Sequence, residues 1–164
     1  MNDQQARDLR DYLHANIPLS AAMAVSVVHA STRSVTLAAP LEPNINHKST
    51  VFGGSAAAVA VLAAWSLLHL RLTQSGFPAE IVIQSSEMHY DRPITGAFTA
   101  TSSFEDDQAW AAFTTMLQRR KRARLEIHAV LASDGDEKGR LSGRFVAFLR
   151  ETPHATTLGT AMRP

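Results

Sequence analysis

The chain has 164 residues, 45% of them apolar, a formal net charge of +1 and no cysteine. That length favours one domain with a sizeable core, and near-neutrality argues against a bulk polyelectrolyte partner. The lack of cysteine excludes disulfides, thiolate metal sites and a cysteine nucleophile, and it fits a reducing, cytoplasmic setting.

The expected organisation is a single domain over residues 1–152 and a loosely ordered tail over 153–164. Met1 to Asp11 is polar and charged and does not read as a signal peptide. Residues 3–17 read as a short amphipathic helix, with Leu9, Tyr12, Leu13 and Ile17 at helical spacing and Pro18 ending it. Residues 24–30 and 34–39 read as two strands joined by a turn at Ser31 to Arg33. Residues 40–52, with Pro40, Pro43, Asn44 and Asn46, read as a loop.

A helix follows from about Gly53 to Gln74. Gly76 can take its left-handed cap and Pro78 lies just beyond. Val51 to Leu70 is 20 residues without a formal charge, which is transmembrane length. Its apolar content is largely alanine, with Gly53, Gly54, Ser55, Ser66 and His69 interspersed, so a helix buried inside the protein is expected rather than a membrane span. The alanines (Ala56, Ala57, Ala58, Ala60, Ala63 and Ala64) would let a surrounding sheet approach closely.

Residues 80–91 read as a long strand, residues 92–96 as a turn and residues 97–105 as a strand with Phe98, Ala100 and Phe104 on one face. Asp106 or Asp107 can cap a helix bearing Trp110, Phe113 and Leu117. This helix runs into Arg119, Arg120, Lys121, Arg122 and Arg124, and cations suit a helix C-terminus. Residues 124–132 and 143–150 are the last strands, joined by a polar turn around Asp134 and Gly135. About six strands and one fully apolar helix, without regular βα alternation, argue against a parallel Rossmann sheet.

The densest chemistry lies in Pro43-Asn44-Ile45-Asn46-His47-Lys48-Ser49-Thr50-Val51-Phe52-Gly53-Gly54-Ser55. A polar loop delivers side-chain amides and an imidazole to the start of the buried helix, where two glycines let a ligand approach the backbone. The free N–H groups of the first turn and the positive dipole end suit a developing oxyanion. Thioester hydrolysis makes such an oxyanion when water attacks the carbonyl.

This stretch resembles the hotdog thioesterases, in which an asparagine loop leads to a His-Gly-Gly at the start of the central helix. With the Ala-rich helix ending Leu72-Thr73-Gln74-Ser75-Gly76-Phe77-Pro78 and the segment Glu80 to Gly96, it is more specifically similar to the thioesterase domain at the C-terminus of the YiiD protein. The resemblance covers roughly residues 8–150. It implies an α+β hotdog fold: an antiparallel sheet of five or six strands wrapped around a long helix, with an extra helix between later strands. It also implies a homodimer or homotetramer with active sites between subunits, and an acyl group carried on coenzyme A or acyl carrier protein. Asn46 matches the family's asparagine. Phe52 stands where many members carry histidine, and Val61 where many carry the acid of the central helix.

The expected site therefore has Gly53 and Gly54 holding the oxyanion, with Asn46 and His47 orienting or activating water. The substrate would touch Phe52, Ser55, Val61 and Trp65, with Ser85 and Ser86 as candidates for holding water. Arg120 and Arg122, in the basic run, would meet the phosphates of coenzyme A or an acidic carrier surface. Each has a plainer alternative: helix–strand packing for the glycines, turn stabilisation for Asn46, core packing for Trp65, a solvated helix end for the arginines. Glu87, His89 and Asp91 share a strand face with Ile81, Ile83 and Ser85 by alternation; Glu87 or Asp91 could replace the missing acid, but surface or structural pairing is the favoured reading of both.

No aromatic residue interleaves the basic run, which argues against nucleic acid. The seven histidines lack metal-ligand spacing, so neither a metal nor a resident cofactor is expected. Gly53-Gly54-Ser55-Ala56-Ala57 lacks the final glycine of a nucleophile elbow, and no phosphate-binding glycine motif occurs. An acyl thioester hydrolase is the leading reading. A non-catalytic module that binds acyl-CoA or acyl carrier protein is the alternative.

Overall fold

The computed structural model describes residues 3–150; the tail expected over 153–164 lies outside them. The elements run α1 (Asp3–Asn16), α2 (Pro18–Ala22), β1 (Ser26–Ala30), β2 (Ser34–Ala39), α3 (Gly53–Gln74), β3 (Ala79–Tyr90), β4 (Phe98–Ser103), α4 (Asp107–Arg120), β5 (Arg122–Ser133) and β6 (Asp136–Leu149). The strands form one antiparallel six-stranded sheet in the order β1-β2-β4-β5-β6-β3. Helix α3 touches β2, β4, β5, β6 and β3. This is the expected hotdog architecture, with α4 as the extra helix between β4 and β5.

The 22 residues of α3 begin at Gly53 and end at Gln74, and Gly76 takes a positive φ of 75° just beyond. Alanines 60, 63 and 64 are fully buried, so the sheet closes against the helix with little side chain between. The helix is long and apolar enough to cross a membrane, yet most of it is buried inside the protein. Inward-pointing Leu125, Ile127, Ala129 and Leu131 of β5 and Leu141, Phe145 and Ala147 of β6 complete the core. Phe113 and Leu117 of α4 join it, and Asp106 caps α4 by accepting from the Ala109 N–H at 2.8 Å.

Several boundaries differ from those read in the sequence. Pro18 does not only end α1; its fixed φ also opens the short helix α2. The basic run is not one helix end. Lys121 adopts a left-handed conformation as the cap of α4, so Arg119 and Arg120 stay on the helix while Arg122 and Arg124 fall on β5. Strand β6 begins seven residues earlier than its apolar pattern suggests. Its charged start pairs with the end of β5 through the hairpin turn at Asp134 and Gly135, both at positive φ.

The most consequential correction concerns β3. Ile83 pairs with Phe145 and Ser85 with Arg144, which leaves Gln84 as an extra residue in a bulge. A bulge reverses the alternation beyond it. Ile81 and Ile83 therefore share the helix-facing side with Ser86, Met88 and Tyr90, while Ser85, Glu87 and His89 point away from the helix with Arg144, Ser142 and Arg140. Ser85 and Ser86 lie on opposite faces.

Candidate active site

The loop before α3 is pinned by two asparagines. Asn44 is buried, and its Nδ2 donates to the carbonyls of Met23 (3.0 Å) and Pro40 (2.8 Å). Its own carbonyl accepts from the Phe52 N–H at 2.7 Å. Asn46 closes the tip: its Oδ1 accepts from the backbone N–H of Lys48 (2.8 Å) and Thr50 (3.3 Å), and its Nδ2 donates to the Thr50 hydroxyl (3.0 Å). The Asn46 amide is thus committed to the loop itself. His47 is exposed in the same loop.

At the mouth, the first intrahelical bond runs from the Ala56 N–H to the Phe52 carbonyl at 3.0 Å. The N–H groups of Gly53, Gly54 and Ser55 precede it and have no helical acceptor, so the positive end of the dipole carries three free donors. Tyr90 donates its hydroxyl to the Gly53 carbonyl at 3.0 Å and lays its ring edge beside Gly53. The Phe52 ring lies against Gly54 so closely that a Cβ there would stand 2.3 Å from the ring. Only glycine at position 54 leaves room for this apolar cover over the first turn.

A cleft of about 290 Å³ opens here, lined by Gly53, Tyr90, Asp91, Arg92 and Lys138 among others. The Asp91 carboxylate meets Arg140 Nη2 at 3.2 Å and is 43% exposed, so it is held from one side and open on the other. The Lys138 carbonyl accepts from the N–H groups of Asp91 (2.9 Å) and Arg92 (3.1 Å), which fixes the end of β3 against the mouth. Tyr90 and Asp91 read in the sequence mainly as fold markers; their approach to the helix start depends on the bulge and on the β3–β6 register.

The remaining candidates lie elsewhere. Val61 and Trp65 follow along α3, and Trp65 Nε1 donates to the Ile81 carbonyl at 3.2 Å. Trp65, His69 and Tyr12 form a near-parallel ring cluster with centroids 4.8, 4.8 and 6.0 Å apart. They line a second cavity of about 700 Å³ beside the Ala79 end of β3. Arg120 and Arg122 border a groove between α4 and β5. Arg122 pairs through Phe148 with Glu80, just past the C-terminal end of α3, and the 22-residue helix rises about 32 Å from Gly53 to that end. The mouth and the arginines therefore sit at opposite ends of the same helix. Glu87 points away from α3 and bonds His89 at 2.9 Å. Among the described residues, no group of three or more histidines and carboxylates is placed to hold a metal.

Burial of His69 lowers its imidazole pKa below the ordinary 6.5, because the ring loses the water that would stabilise its charge. An unfolded chain then takes up the proton first. The stability conferred by the neutral ring is complete above 6.5 and is lost as the pH falls towards the folded value. Thermal unfolding should show a lower Tm at pH 5.5 than at pH 7.5, and His69→Gln should flatten part of that slope. An unchanged slope in the variant would assign it to other groups.

Residues 6–149 match the family model described as "Putative thioesterase (yiiD_Cterm)". The chain is similar to a protein of unknown function from Chlorobaculum tepidum, at 26% identity over 90% of this chain and 96% of that one, with a TM-score of 0.85. It is also similar to a Shewanella oneidensis protein described as a "putative thioesterase", at 26% identity over 89% and 99% of the two chains, with a TM-score of 0.80. A Pseudomonas aeruginosa protein described as a "Probable Thioesterase" shares the fold, at 15% identity over 88% and 95% of the chains and a TM-score of 0.77.

Proposed function

Because the chain belongs to the yiiD C-terminal thioesterase family, we propose that it hydrolyses acyl thioesters at the mouth of α3. The observation that carries this reading is the set of free N–H groups at Gly53, Gly54 and Ser55, roofed by Phe52 in a cleft that Asp91 also lines. The thioester carbonyl accepts from the Gly53 and Gly54 N–H groups. Asp91 takes a proton from water as the water oxygen bonds to the carbonyl carbon, and the helix end stabilises the resulting oxyanion. Collapse of that intermediate breaks the C–S bond. The thiolate leaves and receives the proton from Asp91, giving a carboxylic acid and a thiol. Asp91 thus takes the part that Val61 cannot play, while Asn46 acts as a positioning residue that sets the path of the loop into Gly53.

The substrate carrier is coenzyme A or acyl carrier protein, and no resident cofactor takes part. Two copies pair along β3. That strand ends the sheet, its 12 residues have one unpaired edge, and Val82, Ile83 and Tyr90 are exposed on it. Antiparallel pairing brings the Ala79 end of one copy beside the helix mouth of the other. Arg122 lies at that Ala79 end, in register with Phe148 and, through it, Glu80. Arg122 and Arg120 then contact the phosphates of a thioester held at the neighbouring mouth.

The direct test is thiol release from short, medium and long acyl-CoA substrates. Because the protein has no cysteine, a chromogenic thiol reagent reports product alone. Asn46→Ala should lower kcat by about tenfold, in line with the loss of a positioning contact, while the protein stays folded. Binding of acyl-CoA without turnover at any chain length would instead favour the non-catalytic module, the reading suggested by Phe52 and Val61 at family catalytic positions.

A further inference from the structure

We infer that Tyr90 is a positioning residue for the oxyanion site: through the Gly53 carbonyl, its hydroxyl orients and polarises the Gly54 N–H. This rests on the hydrolase reading and adds to the site a residue from outside the helix and its loop.

Covalent geometry comes first. The Gly53 carbonyl and the Gly54 N–H belong to one planar peptide group, and in its trans form they point in opposite directions. At the start of α3 the carbonyl therefore points along the helix and the N–H points out of its mouth. Tyr90 donates its hydroxyl to that carbonyl at 3.0 Å. A donor on a carbonyl oxygen draws electron density from the amide nitrogen, which makes the N–H of the same peptide a stronger donor in turn. The bond thus acts on the group that meets the developing negative charge. Cooperative strengthening of roughly 10–30% in a donor whose removal costs about 10²–10³ in rate corresponds to about two- to eightfold.

The peptide needs this hold. It has glycine on both sides, the residue with the widest backbone freedom, and it lies in the first turn, where the N–H groups have no helical acceptor. Among the described residues, no other side chain bonds a carbonyl of Phe52, Gly53 or Gly54. The Tyr90 ring supports the same peptide from the side: a Cβ on Gly53 would lie 3.4 Å from its Cε1 and 3.5 Å from its Cζ, ordinary contact. The strand end that presents the hydroxyl is held as well. Tyr90 pairs with Gly139 of β6, where a Cβ would stand 2.4 Å from the His89 carbonyl oxygen, so the strands close there only on glycine. The next two N–H groups, of Asp91 and Arg92, both donate to the Lys138 carbonyl.

The test is Tyr90→Phe in the full chain, which keeps the ring beside Gly53 and removes the hydroxyl. One readout is kinetic, on the acyl-CoA that the wild type turns over fastest. The other is the amide nitrogen chemical shift of Gly54, which responds to hydrogen bonding at the carbonyl of its own peptide. The variant should lose at least about threefold in kcat, with KM and Tm close to wild type. The Gly54 nitrogen should move upfield while that of Gly76, past the far end of α3, stays in place. A smaller loss of kcat, an unmoved Gly54 resonance, or a rate loss matched by a loss of Tm overturns the role of Tyr90 and leaves the hydrolase reading standing. If the wild type turns over no thioester, the hydrolase reading fails and the Gly54 resonance decides alone. A shift then keeps Tyr90 as the group that polarises the mouth peptide, and no shift overturns both.

Discussion

Asp91→Asn is expected to lower kcat by about 10²–10⁴, the range contributed by a positioned general base, with KM little changed. The asparagine keeps the size of the side chain and its place in the mouth cleft but cannot take a proton from water. The exposed pair that Asp91 makes with Arg140 is worth little to folding, so Tm should stay within a degree or two. Loss of rate can then be read as loss of chemistry. A kcat within twofold of wild type would remove Asp91 from the mechanism and send the search for a base to another group at the mouth. Glu87→Gln is the matched control: its carboxylate lies on the face away from α3, bonded to His89, and the rate should hold.

The largest effect on stability is expected at Arg71, far from the mouth. Its side chain is nearly buried, donates to the Phe104 carbonyl and to Asp107 at 3.0 Å each, and lies 4.5 Å from the Trp110 ring centroid and 5.0 Å from that of Phe104. It ties the end of α3 to the end of β4 and the start of α4. Arg71→Ala strands a carbonyl, opens a cavity between two rings and removes the cation, for a loss of about 2–4 kcal/mol. Asp107→Asn should cost less than about 1 kcal/mol, because that carboxylate is exposed. Urea unfolding of the two variants checks the asymmetry. Equal losses would place the weight on the ion pair rather than on the carbonyl and the rings.

Neither Arg71 nor Asp91 stands out by sequence spacing alone. Arg71 reads as one cation near the end of an apolar helix, and its partners are more than thirty positions away. Asp91 reads as one of three polar residues on a strand face. The bulge at Gln84 separates Glu87 and His89 from Ile81 and Ile83, because one extra residue turns them outward. No period-2 pattern announces the bulge. Asn46 was legible as a loop asparagine next to the helix start, and both its roles were open. Its side-chain bonds to four atoms of Lys48, Thr50 and Val51 favour the loop-holding one.

The sequence by itself determined the elements and the family. Residue types with strong local preferences mark α3 at both ends, the Asp134–Gly135 turn and the Asp106 cap, and the segment Pro43 to Ser55 carries a family pattern in contiguous residues. These are short-range effects, set by backbone conformation and by the need to cover an apolar helix on every side. Tertiary structure alone decided which side chains meet. The β3–β6 register brings Tyr90 to Gly53, the bulge selects the face of each residue beyond it, and α1 carries Tyr12 to the rings of α3. Those contacts join residues tens of positions apart, and their geometry follows from sheet pairing and helix packing, which no local window contains.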